Sequence, residues 1–181
     1  GEGPFVGLPA VFIRLAGCNL QCPLCDTNYT DGRKPMSVNS IVSEVKQAAE
    51  SVQMVDTDTP HKQPLLVVLT GGEPFRQPIE ELCWALYYAG IRVQIETNGT
   101  LFRPDLPWGL RIGGYDMLTV VCSPKTTVCE DIKPHIKALK YVVAAGKIGN
   151  NGLPLKVLGS NIPVWVPSIS GSLKEGCTVD W

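Results

Sequence analysis

Short apolar segments that alternate with helical or polar ones constrain the fold most. Residues 65–70 (LLVVLT) form a continuous apolar run, which is the pattern of a parallel strand covered on both faces. Further segments of strand length lie at 10–16, 91–96, 117–121 and 139–144. Strands separated by helices pair in parallel through right-handed crossovers. The chain is therefore predicted to have an α/β fold.

Two helices are predicted between these strands, over 37–53 and 78–89. Ser37 is a candidate N-cap of the first helix. Pro78 is expected at the first position of the second helix, with Gly90 just past its end. Apolar residues repeat at helical spacing on one face of the first helix, at Val38, Ile41, Val42, Val45, Ala49 and Val52.

The rest of the chain is less regular. A short helix is predicted over 130–137, and the segments 54–64 and 102–115 are polar or rich in Pro and Gly, which predicts loops. From about residue 150, Gly and Pro interrupt every short apolar run. A length of 181 residues suits one domain over 1–181.

Composition and charge exclude several classes of protein. Hydrophobic residues make up 44% of the chain and charged residues 18%, as in a globular domain. The formal net charge is −1 and Lys and Arg are scattered, so a nucleic-acid partner is not expected. No apolar run approaches the ~20 residues of a membrane span, and no signal segment opens the chain. The protein is expected to be cytoplasmic, where seven Cys residues indicate metal or redox chemistry rather than disulfides.

Four unusual sequences stand at the carboxyl ends of predicted strands. They are the cysteine-rich loop after residue 16, Gly-Gly-Glu-Pro at 71–74, Glu-Thr-Asn-Gly at 96–99 and Ser-Pro-Lys at 123–125. In parallel α/β folds, ligands collect at this edge of the sheet. One site assembled from several loops is therefore predicted there.

The most closely spaced cysteines, Cys18, Cys22 and Cys25, form a C-x3-C-x2-C motif. A structural zinc site normally takes four Cys or His ligands, and the chain has only two His residues, His61 and His135. A 4Fe–4S cluster held by three cysteines leaves one iron open to a further ligand. The motif therefore indicates such a cluster rather than three buried apolar thiols. The other cysteines lack this spacing and are interpreted as core packing or chance: Cys83, Cys122, Cys129 and Cys177.

The cysteine spacing combined with Gly-Gly-Glu-Pro resembles the radical S-adenosylmethionine (SAM) superfamily. Within it, the chain is similar to the 7-carboxy-7-deazaguanine synthase family. The similarity is carried by GEGPF at 1–5, GLPAVFIRL at 7–15, GCNLQCPLCDT at 17–27, TGGEP at 70–74, IETNGT at 95–100 and SPK at 123–125. It covers roughly residues 1–145, whereas 150–181 match the family poorly.

This resemblance implies a fold, a reaction and its cofactors. The fold would be an incomplete parallel β/α barrel of the radical SAM type. The reaction would convert 6-carboxy-5,6,7,8-tetrahydropterin into 7-carboxy-7-deazaguanine with loss of ammonia, in queuosine-type 7-deazapurine biosynthesis. A 4Fe–4S cluster, SAM and Mg2+ would be the cofactors. The implied partners are the small pterin and an electron donor such as a flavodoxin or ferredoxin. A homodimer is also considered.

The resemblance assigns roles to particular residues. Cys18, Cys22 and Cys25 would bind the cluster, and Thr27 would bind magnesium. The residues implied in SAM binding are Leu24, Cys25, Asp26, Gly72, Glu73, Ser123, Pro124 and Lys125. Those implied in substrate binding are Gly1, Glu2, Arg14 and Thr70.

Several of these residues also have plainer interpretations. Arg14, in an otherwise apolar strand, needs a partner, which is either the pterin carboxylate or a structural ion pair. The hydroxyl of Thr27 either binds a cation or caps nearby backbone. Glu96 either serves the cofactor or fills the barrel interior, and Thr97 and Asn98 suit a strand-end turn without any ligand.

Two other functions remain open from the sequence. One is a radical SAM activase that takes hydrogen from a glycine of a partner protein, since activases share the cysteine spacing and a small α/β domain. The other is a zinc- or cluster-binding interaction module that catalyses nothing.

Overall fold

A computed structural model describes residues 3–22, 25, 27–28, 31–51 and 64–141, and the backbone alone of 164–165. These ranges contain a six-stranded sheet whose neighbouring strands are all parallel. In spatial order the strands are β1 (Val11–Leu15), β2 (Leu66–Gly71), β3 (Arg92–Thr97), β6 (Leu118–Cys122), β7 (Ile136–Lys140) and β8 (Val164–Trp165). The α/β prediction is confirmed, in the form of an incomplete parallel barrel.

Two helices, α1 (Val38–Ser51) and α2 (Glu80–Tyr88), pack with one face of the sheet. The predicted cap of α1 is confirmed, because the hydroxyl of Ser37 accepts a hydrogen bond from the amide of Ser40 at 3.2 Å. Val45 and Ala49 of its apolar face are buried. Val52 lies outside the described residues.

The start of α2 differs from the prediction. Glu80, not Pro78, is the first helical residue and Ile79 is the N-cap, because the first hydrogen bond of the helix runs from the amide of Cys83 to the carbonyl of Ile79. Gly90 follows the helix with a positive φ of 73°, as expected for a residue that ends a helix.

Two other local predictions are wrong. The segment 130–137 contains a three-residue 3-10 turn, Lys133–His135, and β7 begins directly after it because Ile136 pairs with β6. The predicted loop 102–115 contains part of a short antiparallel pair, β4 (Arg111–Ile112) and β5 (Tyr115–Asp116). Gly113 and Gly114 join these strands, both with positive φ, which favours a tight hairpin.

The two faces of the sheet differ in chemistry. Residues on the helix face form the core with both helices, and Val67, Leu69, Val93, Ile95 and Val120 are 0–1% exposed. The opposite face, here called the polar face, carries polar side chains among apolar ones. Its polar members near the strand ends are Arg14, Thr70, Gln94, Glu96 and Lys140. Among the described helices, none is long and apolar enough to cross a membrane.

Candidate active site

The four unusual sequences meet at one edge of the sheet. The cysteine loop follows β1 and Ser-Pro-Lys follows β6, while Gly-Gly-Glu-Pro begins at the last residue of β2 and Thr-Asn-Gly at the last residue of β3. Because these strands are parallel neighbours, their carboxyl ends lie side by side. The predicted convergence of these loops at one edge is confirmed, and their role as one site stays a prediction.

The loop after β2 is fastened to the cysteine loop by backbone hydrogen bonds. The amide of Gly72 donates to the carbonyl of Leu15 at 2.8 Å, and the amide of Glu73 donates to the carbonyl of Gly17 at 2.9 Å. A side chain at position 72 would collide with the carbonyl of Gly17. Glycine is therefore needed at 72 so that the two loops can touch.

The three motif cysteines are free thiols in this loop, half-buried at Cys18 and Cys22 and exposed at Cys25. The amide of Cys25 donates to the carbonyl of Cys22 at 3.2 Å. Burial raises the pKa of Cys22; the charge of Lys125 lowers it and those of Cys18 and Cys25 raise it again. The thiol of Cys22 is therefore the one whose surroundings are described, with Lys125 as the nearby cation.

The thiols suit a cluster in their chemistry. The sulfur of Cys18 accepts a hydrogen bond from the amide of Leu20 at 3.4 Å, and N–H donors toward sulfur are typical around iron–sulfur clusters. Soft thiolates with an adjacent cation suit an iron–sulfur cluster.

The Ser-Pro-Lys turn lies beside the cysteine loop. The amide of Ser123 donates to the carbonyl of Thr97 at 2.7 Å, which ties the turn to the end of β3. The ammonium of Lys125 donates to the hydroxyl of Ser123 at 3.0 Å. Pro124 is buried. The turn therefore holds one cation near the cysteines.

Glu73 does not present its carboxylate to a ligand. It is 0% exposed, and its oxygens accept hydrogen bonds from the amide of Phe75 at 3.0 Å, the hydroxyl of Thr97 at 2.7 Å and the amide of Asn98 at 2.7 Å. Burial raises the pKa of Glu73, while these three hydrogen bonds lower it. The SAM contact of Glu73 stays a prediction; its carboxylate is already occupied by protein donors.

The Thr-Asn-Gly turn reaches the cysteine loop through side chains. The amide nitrogen of Asn98 donates to the side-chain oxygen of Asn19 at 3.0 Å and lies 3.9 Å from the sulfur of Cys18. Asn19 donates in turn to the hydroxyl of Thr100 at 2.8 Å. The strand-end turn predicted for Asn98 is present, and its side chain links that turn to the cysteine loop.

On the polar face, Glu96 is the centre of a charged cluster. Its carboxylate accepts hydrogen bonds from Thr70 at 3.4 Å, Gln94 at 3.2 Å and Lys140 at 3.3 Å. The side-chain oxygen of Gln94 is buried and has no hydrogen-bond partner among the described residues. Sequence reasoning missed Lys140, although a lysine inside an apolar strand is a signal that it has a buried partner.

The burial of Arg14 differs from the prediction. The strand β1 is at the edge of the described sheet, so the side chain of Arg14 is exposed and does not need a partner to offset burial. Its guanidinium lies 5.6 Å from the centre of the Phe12 ring, and no ion pair to another described residue is formed. Thr70, its neighbour across β1 and β2, is 9% exposed.

Of the remaining predicted site residues, the structure describes Thr27 and four others lie outside the described ranges. Thr27 is half-buried, and its carbonyl accepts a hydrogen bond from the thiol of Cys25 at 3.5 Å. Gly1, Glu2, Leu24 and Asp26 lie outside the described residues, as does Cys177.

The core interpretation is confirmed for Cys83 and Cys122, which are 0% exposed and whose pKa burial raises to about 12. Cys129 is half-buried against the core.

A parallel sheet with a three-cysteine loop at its carboxyl edge defines a radical SAM domain. The family model for the Radical SAM superfamily matches residues 12–120. Membership of this superfamily implies a 4Fe–4S cluster and SAM, and the three thiols described above fit the cluster.

The similarity extends to particular relatives. The chain is 47% identical over 157 residues to 7-carboxy-7-deazaguanine synthase of Rhodospirillum rubrum, covering 85% of this chain and 59% of that protein. It is 39% identical over 182 residues to the enzyme of the same name from Rickettsia prowazekii, covering 97% and 71%. The crystal structure of QueE from Escherichia coli matches with a TM-score of 0.52 and 29% identity, over 78% of this chain and 64% of that one. The chain belongs to the 7-carboxy-7-deazaguanine synthase family. It spans about three fifths of the length of the Rhodospirillum relative.

Proposed function

We propose that this chain is a radical SAM lyase that forms 7-carboxy-7-deazaguanine from 6-carboxy-5,6,7,8-tetrahydropterin with loss of ammonia. The observation that carries the proposal is the placement of three thiols and the Ser-Pro-Lys cation at one sheet edge, next to a polar face that carries charged side chains. The names of the relatives supply the product.

Cofactor binding is assigned to the loops at the carboxyl edge. Cys18, Cys22 and Cys25 would hold the cluster, and the residues that would bind SAM are Leu24, Cys25, Asp26, Gly72, Glu73, Ser123, Pro124 and Lys125. When bound, the cluster and SAM supply one-electron chemistry that generates a hydrogen-abstracting radical. The backbone of Gly72 and the ammonium of Lys125 orient the cofactor, since Lys125 is held beside Cys22 by Ser123.

Substrate binding is assigned to the polar face. The exposed guanidinium of Arg14 offers two parallel N–H donors, which suit a carboxylate such as that of the pterin. Thr70 stands next to Arg14 across the two strands and already bonds to Glu96. Thr27 binds Mg2+ through its hydroxyl. Gly1 and Glu2 are included as substrate contacts on the resemblance alone.

The other parts of the proposal concern the electron donor, the oligomeric state, the domain organisation and the cellular location. A flavodoxin or ferredoxin supplies the electron, the active form is a homodimer, and residues 1–181 act as one domain in the cytosol. These points rest on the family resemblance and on the sequence composition.

The test is anaerobic reconstitution followed by incubation with SAM, reductant, Mg2+ and the pterin. We expect a brown protein that forms 7-carboxy-7-deazaguanine, detected by mass spectrometry. Cys22→Ala should lose both the cluster and SAM cleavage, whereas Cys129→Ala, which changes a cysteine outside the motif, should keep both. A brown wild-type protein that cleaves SAM but forms no deazaguanine would overturn the synthase assignment. If it then places a glycyl radical on a partner protein, it is an activase, and a colourless zinc-containing protein would be a non-catalytic module.

A further inference from the structure

We propose that Glu73 and Asn98 are a pair of positioning residues that fix the Cys18 side of the cysteine loop and set the reduction potential of the cluster bound there. The inference rests on the proposed function only for the presence of the cluster. It does not depend on the identity of the substrate.

Glu73 is the point at which three loops are joined. Its backbone amide donates to Gly17 in the cysteine loop, and its carboxylate accepts from Thr97 and Asn98 at the end of β3. A third donor, the amide of Phe75, comes from its own loop. In a site from which water is excluded, these hydrogen bonds are strong, and losing one leaves a buried polar group unpaired. Glu73 therefore fixes the distance between the cysteine loop and the Asn98 turn.

Asn98 connects the hydrogen bonds of Glu73 to Cys18, a proposed cluster ligand. Its side-chain oxygen accepts from the amide of Thr100 at 2.9 Å and from the hydroxyl of Thr100 at 2.7 Å. Because that oxygen faces two donors, the amide nitrogen must be the group that faces Asn19 and the sulfur of Cys18. Asn19 then bonds back to Thr100, which closes the arrangement.

The direction of the effect on the potential follows from charge. Reducing the cluster adds an electron, and N–H donors aimed at a ligating sulfur stabilise the more negative state. Asn98 and the amide of Leu20 are the donors described at Cys18. Removing the Asn98 donor is expected to make the midpoint potential more negative.

The first experiment compares Asn98→Asp with Asn39→Asp after anaerobic reconstitution. Asn98→Asp keeps an acceptor for Thr100 but loses the N–H donor and adds a negative charge near Cys18. Asn39, an exposed residue of α1, undergoes the same chemical change away from the site. Iron content and the midpoint potential, from a redox titration of the cluster signal, are measured without pterin. We expect a more negative potential, or loss of iron from a folded protein, for Asn98→Asp alone.

The second experiment tests Glu73. Glu73→Gln places an amide NH2 against at least one of the three donors, so we expect a chelator to remove iron faster than from the wild type. Thr97→Ser keeps the hydroxyl donor and is the matched control. Thr97→Val removes the hydroxyl that donates to Glu73 and accepts from the amide of Gly99, and it replaces Glu73→Gln if that variant does not fold.

Two results would overturn the inference: a wild-type potential in iron-replete Asn98→Asp, or unchanged iron release in both Glu73→Gln and Thr97→Val. Failure of the synthase assignment has a different signature, since the wild type would then hold its cluster and form no deazaguanine.

Discussion

The two faces of the sheet are built from the same strands but differ in their side chains and in their expected roles. The helix face buries Val67, Leu69, Val93, Ile95 and Val120 against α1 and α2. The polar face places Glu96 within 3.3 Å of Lys140 and leaves Arg14 exposed at the edge. Because successive residues of a strand point to opposite faces, one apolar-looking segment supplies both surfaces. We infer that stability depends mainly on the helix face and ligand recognition on the polar face.

The largest effect is expected on the helix face. Ile95 is 0% exposed in the core, so Ile95→Ala should lower the free energy of unfolding by about 2–5 kcal/mol through lost burial and a cavity. Urea unfolding of the cofactor-free protein measures it. Ile95→Val, which removes one methyl group, should cost only about 0.5–1.5 kcal/mol. Equal losses for both variants would contradict the assignment of this residue to a close-packed core.

A smaller effect is expected from the ion pair of the polar face. The side chains of Glu96 and Lys140 are 13% and 19% exposed. Each single change, Glu96→Gln or Lys140→Gln, should therefore cost roughly 1–3 kcal/mol in urea unfolding. The double variant should lose less than the sum of the two, because the groups interact directly.

The matched control for this pair is on the surface. Glu130 and Lys133 lie 2.6 Å apart, but Glu130 is 82% exposed, so Glu130→Gln should change stability by less than about 1 kcal/mol. If the losses at Glu96 and Lys140 were strictly additive, the pair would have no coupling energy and the charged cluster would not be a structural unit.

The smallest effect on stability is expected at Arg14. Its exposure predicts that Arg14→Ala changes the free energy of unfolding by no more than about 0.5 kcal/mol. If Arg14 binds the pterin carboxylate, the same variant should lose about 1.5–3 kcal/mol of substrate affinity, roughly tenfold or more in KM. Arg14→Lys keeps the charge without the paired donors and should be intermediate. An unchanged KM for Arg14→Ala, measured against Lys46→Ala on the exposed side of α1, would remove Arg14 from the site.

Much of the fold was predictable because its signals are local. The apolar run at 65–70 and the loop sequences after each strand correctly located the sheet and its functional edge. Predictions from local signals were wrong where pairing with another segment decides the secondary structure. The residues from Ile136 were predicted as helix up to 137, but pairing with β6 makes them a strand. Hydrogen bonds to a neighbouring strand override helix propensity there.

The sequence by itself determined the cysteine motif, the order of the strands along the chain and the glycines that permit close contact. Only the tertiary structure decided which partners the charged groups have. It turns Glu73 inward to three protein donors and brings Lys140 to Glu96 across β6. It also leaves Arg14 exposed, because β1 is at the edge of the described sheet. The physical reason is that these contacts depend on strand order and register, which join residues far apart in the chain and leave no periodic signal in it.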